Sequence, residues 1–69
     1  MKEGIVIANG HRVTAVLPSS LEDFLVARNL LPRSVVVELN GEAIAPSEFR
    51  GRLVHAGDRL EIVQIVAGG

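Results

Sequence analysis

Short stretches of alternating apolar and polar residues run through this chain, separated by turn-forming dipeptides. Ile5, Val6, Ile7 and Ala8 form a β-prone run that stops at Asn9-Gly10. That dipeptide suits a type I′ hairpin turn, in which both central residues take φ > 0. The run resumes over His11–Leu17 with Val13, Ala15 and Leu17 on one face, which predicts an antiparallel partner strand ended by Pro18. Ser19 and Ser20 are N-cap candidates, and Ser20 with Asp23 has capping-box-like spacing. Leu21, Phe24 and Leu25 follow at helical spacing and predict a helix of about three turns over 20–30. Leu30-Leu31-Pro32 is expected to close it, because a proline pushes the residue before it out of the helical region.

Val35–Leu39 reads as a third strand ended by Asn40-Gly41, and Glu42-Ala43-Ile44 as a brief edge strand. Pro46-Ser47-Glu48-Phe49 predicts a single capped turn, and Gly57-Asp58 another turn. Arg59–Ile65 is the last predicted strand, with Leu60 and Ile62 on one face and Glu61, Val63 and Ile65 on the other. A helix placed between a hairpin and a third strand needs cover for its apolar stripe and must pack on one sheet face. The last strand then lies beside the first in the middle of the sheet. The expected class is α+β, a β-grasp with a mixed sheet of four to five strands and one helix on one face. Residues 1–65 form the domain, and 66–69 are expected to be a flexible tail, since termini fray.

Composition narrows the functional classes. The chain is 48% hydrophobic, Phe24 and Phe49 are its only aromatics, and it has no cysteine. A chain this short buries only about 60% of its unfolded surface, so aliphatic packing must hold it without staples. Without cysteine there is no disulfide framework, thiol nucleophile or thiolate metal site. Net charge is −1 and Lys2 is the only lysine, so the basic stripe of a nucleic-acid binder is missing. Ile5–Ala8 is too short to span a bilayer, and no basic-then-apolar leader precedes it. A soluble cytoplasmic domain is expected. His11 and His55 lack the neighbours of a metal site and read as surface residues. Arg50, Arg52 and Arg59 can steer an acidic partner, although ordinary solvated side chains explain them as well. No paired-carboxylate, triad or phosphate-loop pattern supports an enzyme.

The end of the sequence, Val66-Ala67-Gly68-Gly69, carries the candidate chemistry. At ordinary glycine usage a terminal pair arises by chance about 0.5% of the time, a weak signal alone. Its context strengthens it, because only Val66 and Ala67 separate it from the last strand. A terminal carboxylate has a reference pKa of about 3.3–3.7 and is an unreactive anion at neutral pH. To accept sulfur it must first become an acyl adenylate, which requires a partner holding ATP and a metal ion. Glycines let a backbone enter a narrow channel that larger residues would block. In a carrier of that kind Gly69 would be the residue modified, with Gly68 and Gly69 in the channel. Val63 and Ile65, on the sheet side away from the helix, together with Val66 and Ala67, are the expected docking residues, since apolar patches mark partner surfaces.

Val37-Glu38-Leu39-Asn40-Gly41-Glu42, Gly57-Asp58-Arg59-Leu60-Glu61-Ile62 and Val63-Gln64-Ile65-Val66-Ala67-Gly68-Gly69 together resemble the ThiS family, ubiquitin-like sulfur carriers of thiamine biosynthesis. The likeness runs over nearly the whole chain, with Pro46 about one place later than the family pattern. It implies that an E1-like adenylating enzyme activates Gly69, a persulfide donor supplies sulfur, and thiazole synthase receives it from the thiocarboxylate. No cofactor is expected on the chain itself; ATP and metal belong to the activating partner. Molybdopterin-synthase small subunits and other sulfur carriers use the same tail, and a non-conjugated β-grasp interaction module with incidental glycines remains an alternative.

Overall fold

The computed structural model describes residues 2–65. Strands β1 (Lys2–Ala8) and β2 (His11–Leu17) form an antiparallel hairpin in register from Lys2↔Leu17 to Ala8↔His11. Asn9 (φ +51°) and Gly10 (φ +82°) are both left-handed, as the type I′ turn requires. β1 starts at Lys2, three residues before the predicted Ile5, because Val16 and Leu17 offer pairing partners to Glu3 and Lys2. The length of the partner strand, more than local propensity, decides where β1 begins.

Helix α1 (Leu21–Ala27) starts as its sequence predicts: the Ser20 hydroxyl accepts the Asp23 N–H at 3.0 Å. It ends earlier than the predicted 20–30. Asn29 is left-handed (φ +61°), the Leu30 N–H donates to the Leu25 carbonyl at 2.9 Å, and the Asn29 N–H donates to Val26 at 3.0 Å. These two bonds make a Schellman cap with asparagine in the seat usually held by glycine. Asn29 therefore stops the helix, and Pro32 instead opens a 3₁₀ turn, Pro32–Ser34. Two further strands had no sequence signal. β3 (Ser19–Ser20) and β6 (Leu53–Val54) pair antiparallel as a separate two-stranded ladder beside the helix.

β4 (Val35–Leu39) and β5 (Glu42–Ile44) join through a second left-handed pair, Asn40 (φ +52°) and Gly41 (φ +85°). A 3₁₀ turn, Pro46–Glu48, follows, and β7 (Arg59–Gln64) closes the chain of elements. The five-stranded sheet has the order β2-β1-β7-β4-β5, with β7 parallel to β1 and antiparallel to β4. The expected mixed sheet with its last strand in the middle is present. Leu21, Phe24 and Leu25 of α1 are buried at i, i+3, i+4 spacing. They meet a core in which Val6, Val37, Phe49, Val54 and Leu60 are almost completely inaccessible. Burial of these apolar side chains, each worth about 1.5–3 kcal/mol, is the main term holding a domain of this size.

Candidate docking face

The helix covers one face of the sheet and leaves the other open. On β7 and β4 the alternation is clear. Leu60 pairs with Leu39 and Ile62 with Val37 on the covered side, while Glu61 pairs with Glu38 and Val63 with Val36 on the open side. Val63 is 63% exposed and its cross-strand neighbour Val36 is 53% exposed. Ile65 lies just past the strand, 52% exposed, with its N–H donating to the Ser34 carbonyl at 2.7 Å. That bond continues the β4 ladder by one step, so Ile65 follows Val63 on the open side. Val63 and Ile65 thus lie where the sequence places them. Val66, Ala67, Gly68 and Gly69 lie outside the described residues.

Val36 and Glu38 are additions that the sequence reading missed, and Glu61, which the sequence puts on this face, joins the docking set only through the structure. Val35-Val36-Val37 carries no apolar–polar alternation, so its burial pattern, with Val35 and Val37 inside, comes from the fold, and the register with β7 sets Val36 opposite Val63. Glu38 and Glu61 face each other directly across the ladder. Like charges so placed repel, which weakens the sheet by a few tenths of a kcal/mol or so. Among the described residues neither has an ion-pair partner, and nor does Arg59 beside them. The open face therefore offers an apolar end next to the exit of the chain and an acidic strip behind it.

The other charged residues belong to the fold. Arg52 donates to both Glu42 carboxylate oxygens, at 2.9 and 3.3 Å, and approaches Glu48 at 3.8 Å. Those hydrogen bonds, and then the guanidinium charge, hold the Glu42 carboxyl below its usual value. Arg50 pairs with Glu22 at 3.4 Å. Of the three arginines considered for steering, only Arg59 is left on the open face. His11 and His55 are exposed, and the His55 N–H donates to Asp58 in a turn. Among the described residues there is no group of three or more potential metal ligands. No helix among them is long and apolar enough to cross a membrane. A cleft of about 480 Å³ lies between β2 and α1, where Arg28 bridges the Thr14 carbonyl at 2.9 Å and the Phe24 ring at 5.1 Å.

Comparison with known proteins bears on this geometry. The ThiS family model matches residues 3–69. A crystal structure of the thiamine biosynthesis protein ThiS from Geobacter metallireducens superposes with a TM-score of 0.81 at 28% identity, covering 94% of this chain and 99% of that one. A solution structure of a thiamine biosynthesis protein from the same organism gives a TM-score of 0.76 at 28% identity, covering 94% and 87%. No curated protein sequence matches significantly.

Proposed function

Because this chain belongs to the ThiS family, we propose that it is a sulfur carrier of thiamine biosynthesis whose working group is the Gly69 carboxylate. The observation that carries the reading is the family match itself, which runs through Gly68-Gly69. The carrier acts as a protein co-substrate. An E1-like enzyme, using its own bound ATP and metal ion, joins the carboxylate oxygen to the α-phosphate and releases pyrophosphate. The outer sulfur of a donor persulfide then attacks the activated acyl carbon and AMP leaves, giving an acyl disulfide; a second thiol of the donor attacks the donor-side sulfur, forms a disulfide with it and releases Gly69 as a thiocarboxylate. Thiazole synthase takes the sulfur. The cycle consumes ATP and runs in the cytoplasm.

The body contributes recognition. Val36, Val63 and Ile65 supply an apolar contact at the exit of the chain, continued by Val66 and Ala67, and Glu38 with Glu61 select a partner that brings a cation. Removing the Glu38–Glu61 repulsion on docking adds to the attraction. Gly68 and Gly69 enter the enzyme channel because they carry no side chain.

Intact-protein mass spectrometry tests the proposal. Incubation with the cognate activating enzyme, ATP, magnesium and a persulfide donor should add the mass difference between sulfur and oxygen. Absence of that species with an active cognate enzyme refutes the carrier reading in favour of an interaction module. If the loaded chain passes sulfur to a molybdopterin-synthase large subunit and not to thiazole synthase, the pathway is wrong but the chemistry stands.

A further inference from the structure

Ala8, the last residue of β1, pairs with Leu60, yet β7 continues to Gln64. Past Leu60 the β1 flank of β7 has no strand beside it, and Asn9 takes that place. Its backbone N–H donates to the Leu60 carbonyl at 2.8 Å. Its side-chain Nδ2 donates to the Ile62 carbonyl at 2.9 Å, while its Oδ1 accepts the Ile62 N–H at 2.7 Å. One primary amide thus reproduces both bonds of a strand residue. Only asparagine does so here: glycine tolerates the left-handed turn but has no side chain, and an aspartate carboxylate cannot donate.

The second Asn-Gly turn grips the same strand at its other end. Asn40 Oδ1 accepts the Arg59 N–H at 2.9 Å, and its Nδ2 donates to Asp58 Oδ1 at 3.1 Å. β7 is therefore latched at its entry by Asn40 and near its exit by Asn9. On the β4 flank the exit is held by the Ile65–Ser34 bond.

We propose that Asn9 is a positioning residue, which by gripping Ile62 sets the direction in which the chain leaves the sheet and so the efficiency with which Gly69 is loaded. This inference rests on the sulfur-carrier reading. The test compares Asn9→Gly with Asn40→Gly, both of which keep the left-handed turn, and with Asn9→Asp, well below the lowest melting temperature. Amide exchange and ¹⁵N relaxation report on residues 62–65, and steady-state loading by the cognate activating enzyme gives kcat and KM for the carrier. Asn9→Gly should speed exchange of the Ile62 amide and lower kcat/KM about tenfold, within the range for the two net hydrogen bonds lost. Asn9→Asp keeps an oxygen for the Ile62 N–H but sets a carboxylate against the Ile62 carbonyl, so Ile62 exchange should be slower than in Asn9→Gly while loading still falls below wild type. Asn40→Gly, which loosens the far end of β7, should stay within about twofold of wild type. Equal loading by wild type and Asn9→Gly, or equal losses in Asn9→Gly and Asn40→Gly, overturns the inference and leaves the carrier reading intact. Failure of the wild-type chain to load refutes the carrier reading, and the role of Asn9 in loading with it.

Discussion

Val63→Thr separates docking from folding. Threonine keeps the β-branched shape of valine and replaces one methyl by a hydroxyl, so strand propensity and volume barely change. Val63 is 63% exposed. An exposed substitution of this kind shifts stability by no more than about 0.5 kcal/mol, or a few degrees in Tm for a domain this small. At an interface the balance differs. Docking that covers the exposed part of Val63 gains about 1 kcal/mol from a side chain whose full burial is worth about 1.5 kcal/mol, and threonine, keeping one of the two methyls, loses about half of that gain. A hydroxyl buried there without a partner costs a further ~1–3 kcal/mol. The sum, about 1.5–3.5 kcal/mol, raises Kd for the activating enzyme roughly 10- to 400-fold. Titration calorimetry gives Kd and thermal unfolding gives Tm. Val26→Ala, at a helix position 57% exposed on the other side of the molecule, is the control and should leave Kd unchanged. A Kd within about threefold of wild type refutes the docking role, since the buried hydroxyl alone, at about 1 kcal/mol or more, exceeds that ratio. A fall in Tm of more than about 8 °C refutes the argument differently, by showing that Val63 supports the fold.

Gly69→Ala leaves every residue of the buried core unchanged, so Tm should not move, while a methyl in the activating channel should abolish loading; full loading by mass spectrometry contradicts the channel argument. Ser20→Ala removes the acceptor of the Asp23 N–H and should cost about 1 kcal/mol, lowering Tm by about 4–8 °C; an unchanged Tm removes the cap from the stability account. Arg52 holds the Glu42 carboxyl below its usual 4.5, so this pairing stabilises above that pH and its contribution is lost as pH falls through the lowered folded value. Glu42→Gln should flatten urea midpoints in that acid window by a small, salt-screened amount, because the pair is exposed; superimposable curves contradict the pairing.

Much of this protein is legible from local chemistry. Both Asn-Gly turns, the Ser20 cap and the in–out alternation of β7 follow from backbone preferences and side-chain period, which depend on a few neighbouring residues. The central place of β7 also follows, since a helix between hairpin and third strand leaves few ways to bury its stripe. The family resemblance lies in the same short elements, and membership is confirmed by the match over residues 3–69.

Other features depend on residues distant in sequence meeting in space. β3 and β6 are two-residue strands that exist only because Ser19 and Ser20 meet Val54 and Leu53. The helix stops at Asn29 because Leu30 turns back to bond Leu25 and pack against the core, an outcome that local propensity does not decide. Register alone sets Val36 opposite Val63 and Glu38 opposite Glu61. Both asparagines announced turns, but that their amides would grip β7 required the fold to bring Asn9 to Ile62, 53 residues away. Local propensity acts over a turn or two of chain, whereas a ladder partner, a docking face and a latch are defined by which strands lie side by side.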